Sequence, residues 1–149
     1  MPLQLDVVTI EREVFSATDV DMVVAPGTEG LLGILPRHEP LITTLKEGEL
    51  EIIRGGKRDY LAIGGGFMEV RGTRVVVMAD VAEHAEEIDI ARAEAARARA
   101  EQARREAPRA EDADQALASL RRAQVRLKVA RRKRGAGGTP GGAPAAGME

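Results

Sequence analysis

The chain predicts an all-β N-terminal unit, a sandwich or barrel of short strands, followed by an α-helical C-terminal antiparallel hairpin. Three observations carry that expectation. Apolar residues alternate with polar ones at a period of two through the first half of the chain. The period changes to three-and-four after about residue 85, and the last stretch has no period at all. The expected divisions are residues 1–84, 85–134 and 135–149.

In the first unit Leu3, Leu5 and Val7 alternate with Gln4, Asp6 and Val8. Leu50 and Ile52 alternate with Glu49 and Glu51, and Met68 and Val70 with Glu69 and Arg71. A strand that is apolar on one face only is the pattern of half-buried antiparallel strands. Turn signals fall at Pro26-Gly27, Gly48, Gly55-Gly56, Gly64-Gly65-Gly66 and Gly72. The later ones recur about every eight residues, as short strands require. Gly55-Gly56 suits a two-residue hairpin turn, because both central positions can take positive φ. The segment RVVVMA, Arg74 to Ala79, is the last strong strand.

From Ile88 to about Ala107 nearly every residue is a strong helix former, and Pro108 stops that helix. Glu111 and Asp112 open a second helix, where the helix dipole favours acids. Along it Ala113, Ala116/Leu117, Leu120, Ala123, Leu127 and Ala130 form one apolar stripe. A short connection folds the two helices back on each other. The seam is alanine-rich and removes little apolar area from water, so the closed hairpin needs a ligand or partner to hold it firmly. From Gly135 the chain reads GAGGTPGGAPAAGME, the composition of a disordered tail.

Composition excludes several classes of chemistry. There is no cysteine, hence no disulfide and no thiolate metal site. His38 and His84 are single histidines in separate regions, expected as structural or interface residues rather than metal ligands. No catalytic constellation is present: Gly55-Gly56-Lys57 runs into Arg58 and lies in a hairpin, unlike a phosphate loop before a helix. Gly64-Gly65-Gly66 lies between strands, where backbone room at a crossing or bulge explains it. No apolar run approaches the roughly 18 residues of a membrane-spanning helix, and no signal pattern opens the chain. A soluble protein is expected, inside an intracellular compartment or on its membrane surface through a partner.

Charge is divided unevenly. Residues 1–84 hold 8 Lys+Arg against 14 Asp+Glu, a net −6, and residues 85–134 hold 14 against 9, a net +5. The run RRAQVRLKVARRKR could bind nucleic acid, but a solvated helix face with cations at the end the dipole favours is the better explanation. Too few aromatic residues are present for base stacking, which argues against nucleic acid as a partner.

Two segments, GLLGILPRHEPLITTLKEGEL from Gly30 and AIGGGFMEV from Ala62, precede the helical ALASLRRAQVRL region in a fixed order. Together they resemble the epsilon subunit family of bacterial F-type ATP synthases, over about residues 3–132. The resemblance implies a sandwich of about ten strands attached to the central stalk, packed on the gamma subunit and touching the ring of c subunits. It implies a C-terminal hairpin that either folds up or extends along gamma to the alpha and beta catalytic subunits, where it blocks ATP hydrolysis. On this reading the protein is a rotor and regulatory subunit with no catalytic or metal site. It would be peripheral to the cytoplasmic face of the bacterial cell membrane.

Some members of that family bind ATP through a motif I/L-D-x-x-R-A, matched here by Ile88, Asp89, Arg92 and Ala93. The resemblance extends the expected ATP-binding set to Glu83, Arg99, Arg122 and Arg126. Guanidinium forks suit phosphate oxygens, whereas Glu83 and Asp89 would orient arginines or accept from base or ribose. Ala93 would leave room for a flat base beside Ile88. The competing explanation is ordinary helix chemistry: Asp89 as a first-turn acid, paired with Arg92 at i,i+3. Two other readings stand beside it, a rotor and brake subunit without a nucleotide site, and a small nucleic-acid-binding adaptor using the Arg-rich helix.

Overall fold

The alternation of apolar and polar residues becomes a sheet of eight strands: β1 (Leu3–Val8), β2 (Glu13–Val20), β3 (Met22–Gly27), β4 (Gly30–Ile34), β5 (Leu41–Arg54), β6 (Lys57–Arg71), β7 (Arg74–Ala79) and β8 (Ala82–His84). The structure, a computed structural model, describes residues 1–137. The chain divides into two units, Met1–His84 and a second that begins at Ala85.

Strands follow the order β2-β1-β7-β6-β5-β3-β4, with β8 pairing β6. The apolar members of each alternation point to one side. Leu3, Leu5, Val7, Leu50, Ile52, Met68, Val70, Val75 and Val77 are all buried in a single cluster, to which Val23, Ile34, Leu61 and Ile63 also belong. Residues on one face of a sheet can share one core only if the sheet folds over on itself, which makes the unit a sandwich. Burial of each of the larger side chains contributes about 1.5–3 kcal/mol, so this unit has ample apolar support.

The long hairpin β5–β6 serves both layers. Its first half in β6 pairs β8 through Leu61–Ile63, and its second half pairs β7 through Gly66–Arg71. The change of neighbour occurs at Gly64–Gly66. There, and at Gly48 in β5, sequence signals expected as turns lie inside continuous strands. The strands number eight and not the expected ten, because β5 and β6 run on through those glycines. A second departure from expectation is that β1 pairs β7 in parallel, Gln4 to Arg74 through Val8 to Met78. These strands are remote in sequence, so no tight turn imposes an antiparallel direction.

Two glycine sites are required by the backbone. Gly55 and Gly56, at φ 57° and 77°, close the two-residue turn between Arg54 and Lys57, as the sequence predicts. Gly66 has φ 132°, and a Cβ there would lie 2.2 Å from the Met78 carbonyl oxygen and 2.8 Å from the Ala79 Cα. The glycine run is thus backbone room where β6 crosses β7. His84 has a structural task too: its Nε2 donates to the Val14 carbonyl at 2.6 Å, tying β8 to β2 beside Phe15.

The second unit starts with a 3-10 turn, Ala85–Glu87, followed by α1 (Ile90–Glu106) and α2 (Ala110–Gly137). Pro108 lies in the connection, where its ring cannot continue α1. Ala93 and Ala100 of α1 are buried, with Ala116, Leu120, Ala123, Leu127 and Ala130 of α2. The stripe is the one the spacing predicts, except that Ala113 is only half-buried and Val129 is buried as well. The helix continues to Gly137, past the expected start of the tail at Gly135; the rest of that segment lies outside the described residues.

Gly66→Ala should lower the stability of the sandwich by at least about 2 kcal/mol, since backbone atoms and not a movable side chain oppose the new Cβ. Gly55→Ala faces open space and should cost only about 1 kcal/mol for its left-handed φ. Urea unfolding followed by the β signal in circular dichroism checks the order; equal losses would contradict it.

Candidate nucleotide-binding flank of the helical hairpin

The segment from Ile88 to Ala93 builds the start of α1. Asp89 is the N-cap, with extended backbone (φ −83°, ψ 108°) and a side chain that accepts from the Arg92 backbone N–H at 3.2 Å. Its carbonyl accepts from the Ala93 N–H at 3.0 Å, starting the helical ladder. Ile88 and Ala93 occupy the two positions of a hydrophobic staple, N′ and N4, and both are buried. Much of the I-D-x-x-R-A pattern therefore has local work to do: it starts a helix and fixes the angle at which the chain enters it. The Arg92 side chain takes no part in that work and is exposed.

The arginines have a simple placement rule. Arg92 and Arg99 immediately precede the buried Ala93 and Ala100; Arg122 and Arg126 immediately precede the buried Ala123 and Leu127. One residue is about 100° of helix rotation, so each arginine stands to one side of the seam. In an antiparallel pair, the residues just before the seam on both helices fall on the same flank. The residues just after it fall on the other. The second flank is observed directly: Arg131, which follows Ala130, donates to Glu94, which follows Ala93, at 2.9 Å across the hairpin. That contact joins the beginning of α1 to the far part of α2, which also establishes the antiparallel direction.

The hairpin thus gathers Arg92, Arg99, Arg122 and Arg126 on one flank, drawn from both helices. Arg122 donates to Ser119 Oγ at 3.0 Å, within its own helix, and Arg126 is half-buried. Asp89 lies at the end of this flank with its carboxylate committed to the cap. Glu83 belongs to the other unit, on β8, half-buried and paired in register with Ala62.

Sequence reasoning passed over the second flank. Glu94, Arg97, Lys128 and Arg131 line a groove between α1 and α2. The same one-residue offset could have found its α2 side, since Lys128 and Arg131 follow Leu127 and Ala130 of the predicted stripe; nothing predicted the α1 side, where Glu94 stands. Among the described residues no group of three His, Asp or Glu side chains could hold a metal ion. None of the described helices is long and apolar enough to cross a membrane.

Comparison with known proteins supplies the context. Residues 2–85 match the family described as ATP synthase, Delta/Epsilon chain, beta-sandwich domain. Residues 86–131 match ATP synthase, Delta/Epsilon chain, long alpha-helix domain. The ATP synthase epsilon chain of Herpetosiphon aurantiacus is 55% identical over 134 residues, covering 90% of this chain and 98% of that one. The epsilon chain of Dehalococcoides mccartyi is 56% identical over 133 residues, covering 89% and 94%. Among solved structures, a chain of the Euglena gracilis mitochondrial ATP synthase, in an assembly of OSCP, F1 and c-ring, superposes with a TM-score of 0.75. It is 26% identical, with 87% of this chain and 81% of that chain covered. A chain of the Tetrahymena thermophila mitochondrial ATP synthase central stalk and c-ring shares the fold, with a TM-score of 0.60 at 14% identity and 87% and 97% coverage.

Asp89→Ala should lower the stability of the helical unit by about 1 kcal/mol, while Asp89→Asn, which also caps, should retain most of it. A thermal melt followed at the helical circular dichroism signal distinguishes the two. Equal losses would mean that the charge, and not the cap, is what the position supplies.

Proposed function

Because the chain belongs to the epsilon-chain family of ATP synthase, we propose that it couples the gamma subunit to the ring of c subunits and restrains ATP hydrolysis through its helical hairpin. It is a non-catalytic subunit of the central stalk. The sandwich is the attachment module, held on the rotor at the cytoplasmic face of the bacterial membrane. The hairpin is the regulatory arm. Folded, it leaves the catalytic subunits alone; extended, it reaches the alpha and beta subunits and stops hydrolysis.

ATP is the ligand that favours the folded arm, and it is bound without being hydrolysed. The observation that carries this reading is the flank of four arginines, Arg92, Arg99, Arg122 and Arg126, contributed by two helices whose buried seam is mostly alanine, with Leu120 and Leu127. Guanidinium groups from both helices closing on one triphosphate make charge-assisted, paired hydrogen bonds that neither helix could make alone. A ligand that binds only the folded state stabilises it by RT ln(1 + [L]/Kd), so the arm reports the ATP concentration. Asp89 contributes by capping the first turn of the helix at the Arg92 backbone N–H. Ile88 and Ala93 are buried in the folded hairpin, so a base seated beside them needs a local opening of the first turn.

Titration calorimetry with ATP on the full chain tests the proposal. Saturable binding is expected at millimolar nucleotide or below, weakened at least about tenfold by Arg92→Ala and by Arg126→Ala, each of which removes a charge-assisted contact. GTP should bind more weakly. Absence of binding, or binding that neither substitution changes, overturns the nucleotide site and leaves a rotor and brake subunit without one.

A further inference from the structure

The hairpin has a second charged flank, opposite the arginines assigned to ATP. It encloses a groove of about 660 Å³ whose lining includes Leu127 at the seam and, around it, Arg97, Lys128, Arg131, Arg132 and Glu94. Four cations and one carboxylate line it, and Glu101 lies against Arg97 beside it. The volume falls in the range of small-molecule sites, about 300–1,000 Å³. Both helices contribute cations, Arg97 from α1 and the other three from α2.

The groove already shows what chemistry it takes. Its one carboxylate, Glu94, accepts from Arg131 of the other helix at 2.9 Å, and Arg97 lies 3.9 Å away. Arg97 turns its other contact to Glu101 at 2.5 Å, on the next turn of α1. Glu94 is thus an anion tethered to the rim, and a multiply charged anion entering from solvent would compete with it for the same guanidinium groups.

We propose that this groove is a second anion site of the folded hairpin, for a ligand carrying a linear triphosphate. A single phosphate could satisfy one or two guanidinium groups. Lys128, Arg131 and Arg132 span a full turn of α2 with Arg97 across the groove, so a chain of phosphates matches them better. The site exists only while the helices lie together, and its occupation therefore favours the same folded state as the proposed ATP site. It does so through different residues, on the other side of the seam. Either site can exist without the other.

The test uses calorimetry on the full chain carrying Arg92→Ala and Arg126→Ala, which removes the first flank, titrated with inorganic tripolyphosphate at matched ionic strength. Binding is expected there. It should weaken at least about tenfold when Lys128→Ala and Arg131→Ala are added, since two charge-assisted contacts are lost. Glu94→Gln should act in the opposite direction, tightening binding about threefold by removing the internal competitor, although it breaks an ion pair of the hairpin. That sign distinguishes a site from a solvated helix face, and a misfolded variant could not produce it. An ATP titration of the same chain identifies the source: binding supports a nucleotide's triphosphate, and exclusion supports the inorganic chain. No tripolyphosphate binding, or binding that ignores both the Lys128/Arg131 and the Glu94 changes, overturns the proposal.

Discussion

The approach of α1 to α2 through alanine is the constraint from which the rest of the helical unit follows. Ala93 and Ala100 on one helix, and Ala116, Ala123 and Ala130 with Leu120 and Leu127 on the other, let the helices come close. Small side chains bring the backbones together but remove little apolar surface from water. The residues beside the seam are then forced to the flanks, and in this chain most of them are charged. A hairpin built this way has its geometry set by alanine and less apolar support than a seam of large side chains would give. The sandwich is the reverse case. Its core of Leu, Ile, Val and Met is deep and continuous, and charges there sit only on the outer faces.

This contrast suits the division of labour proposed for an epsilon chain. An attachment module should have one state, and large apolar side chains enforce one state by close packing. A regulatory arm should have two states separated by a few kcal/mol, so that a ligand at cellular concentration can choose between them. An arm with a leucine-filled seam would remain folded regardless of ligand. One with no seam would have no folded state for a ligand to select. The alanine seam lies between these, and the two charged flanks are where anions or partner subunits can add the difference.

Much of the architecture was legible before any coordinates. The alternations at Leu3–Val7, Leu50–Ile52 and Met68–Val70 all face the core, and the Gly55–Gly56 turn closes the hairpin expected of it. Strand number was less legible, because glycine signals the same freedom whether a strand ends or bends. At Gly48 and Gly66 only the approach of another backbone or side chain, remote in sequence, decides which. The parallel pairing of β1 with β7 was beyond reach for the same reason: direction depends on the path of the intervening chain. In the hairpin, the arginine flank could be read from the family motif and its partners on α2. The Glu94–Arg131 flank was missed because its partners are 37 residues apart, and rules for neighbours within one helix do not reach that far. The structure also gives Ile88, Asp89 and Ala93 a local purpose, so the motif alone is weaker testimony for a ligand than the arginines around it.

The central claim is that the seam alone closes the hairpin only weakly and that ligand supplies the rest. Amide hydrogen exchange on the full chain, with and without ATP, measures this directly. Without nucleotide, amides of α1 and α2 should exchange far faster than those of β5 and β6, and millimolar ATP should slow α1 and α2 together while leaving the sandwich unchanged. Helices as protected as the sandwich core before any nucleotide is added, with no response when it is, would contradict the account.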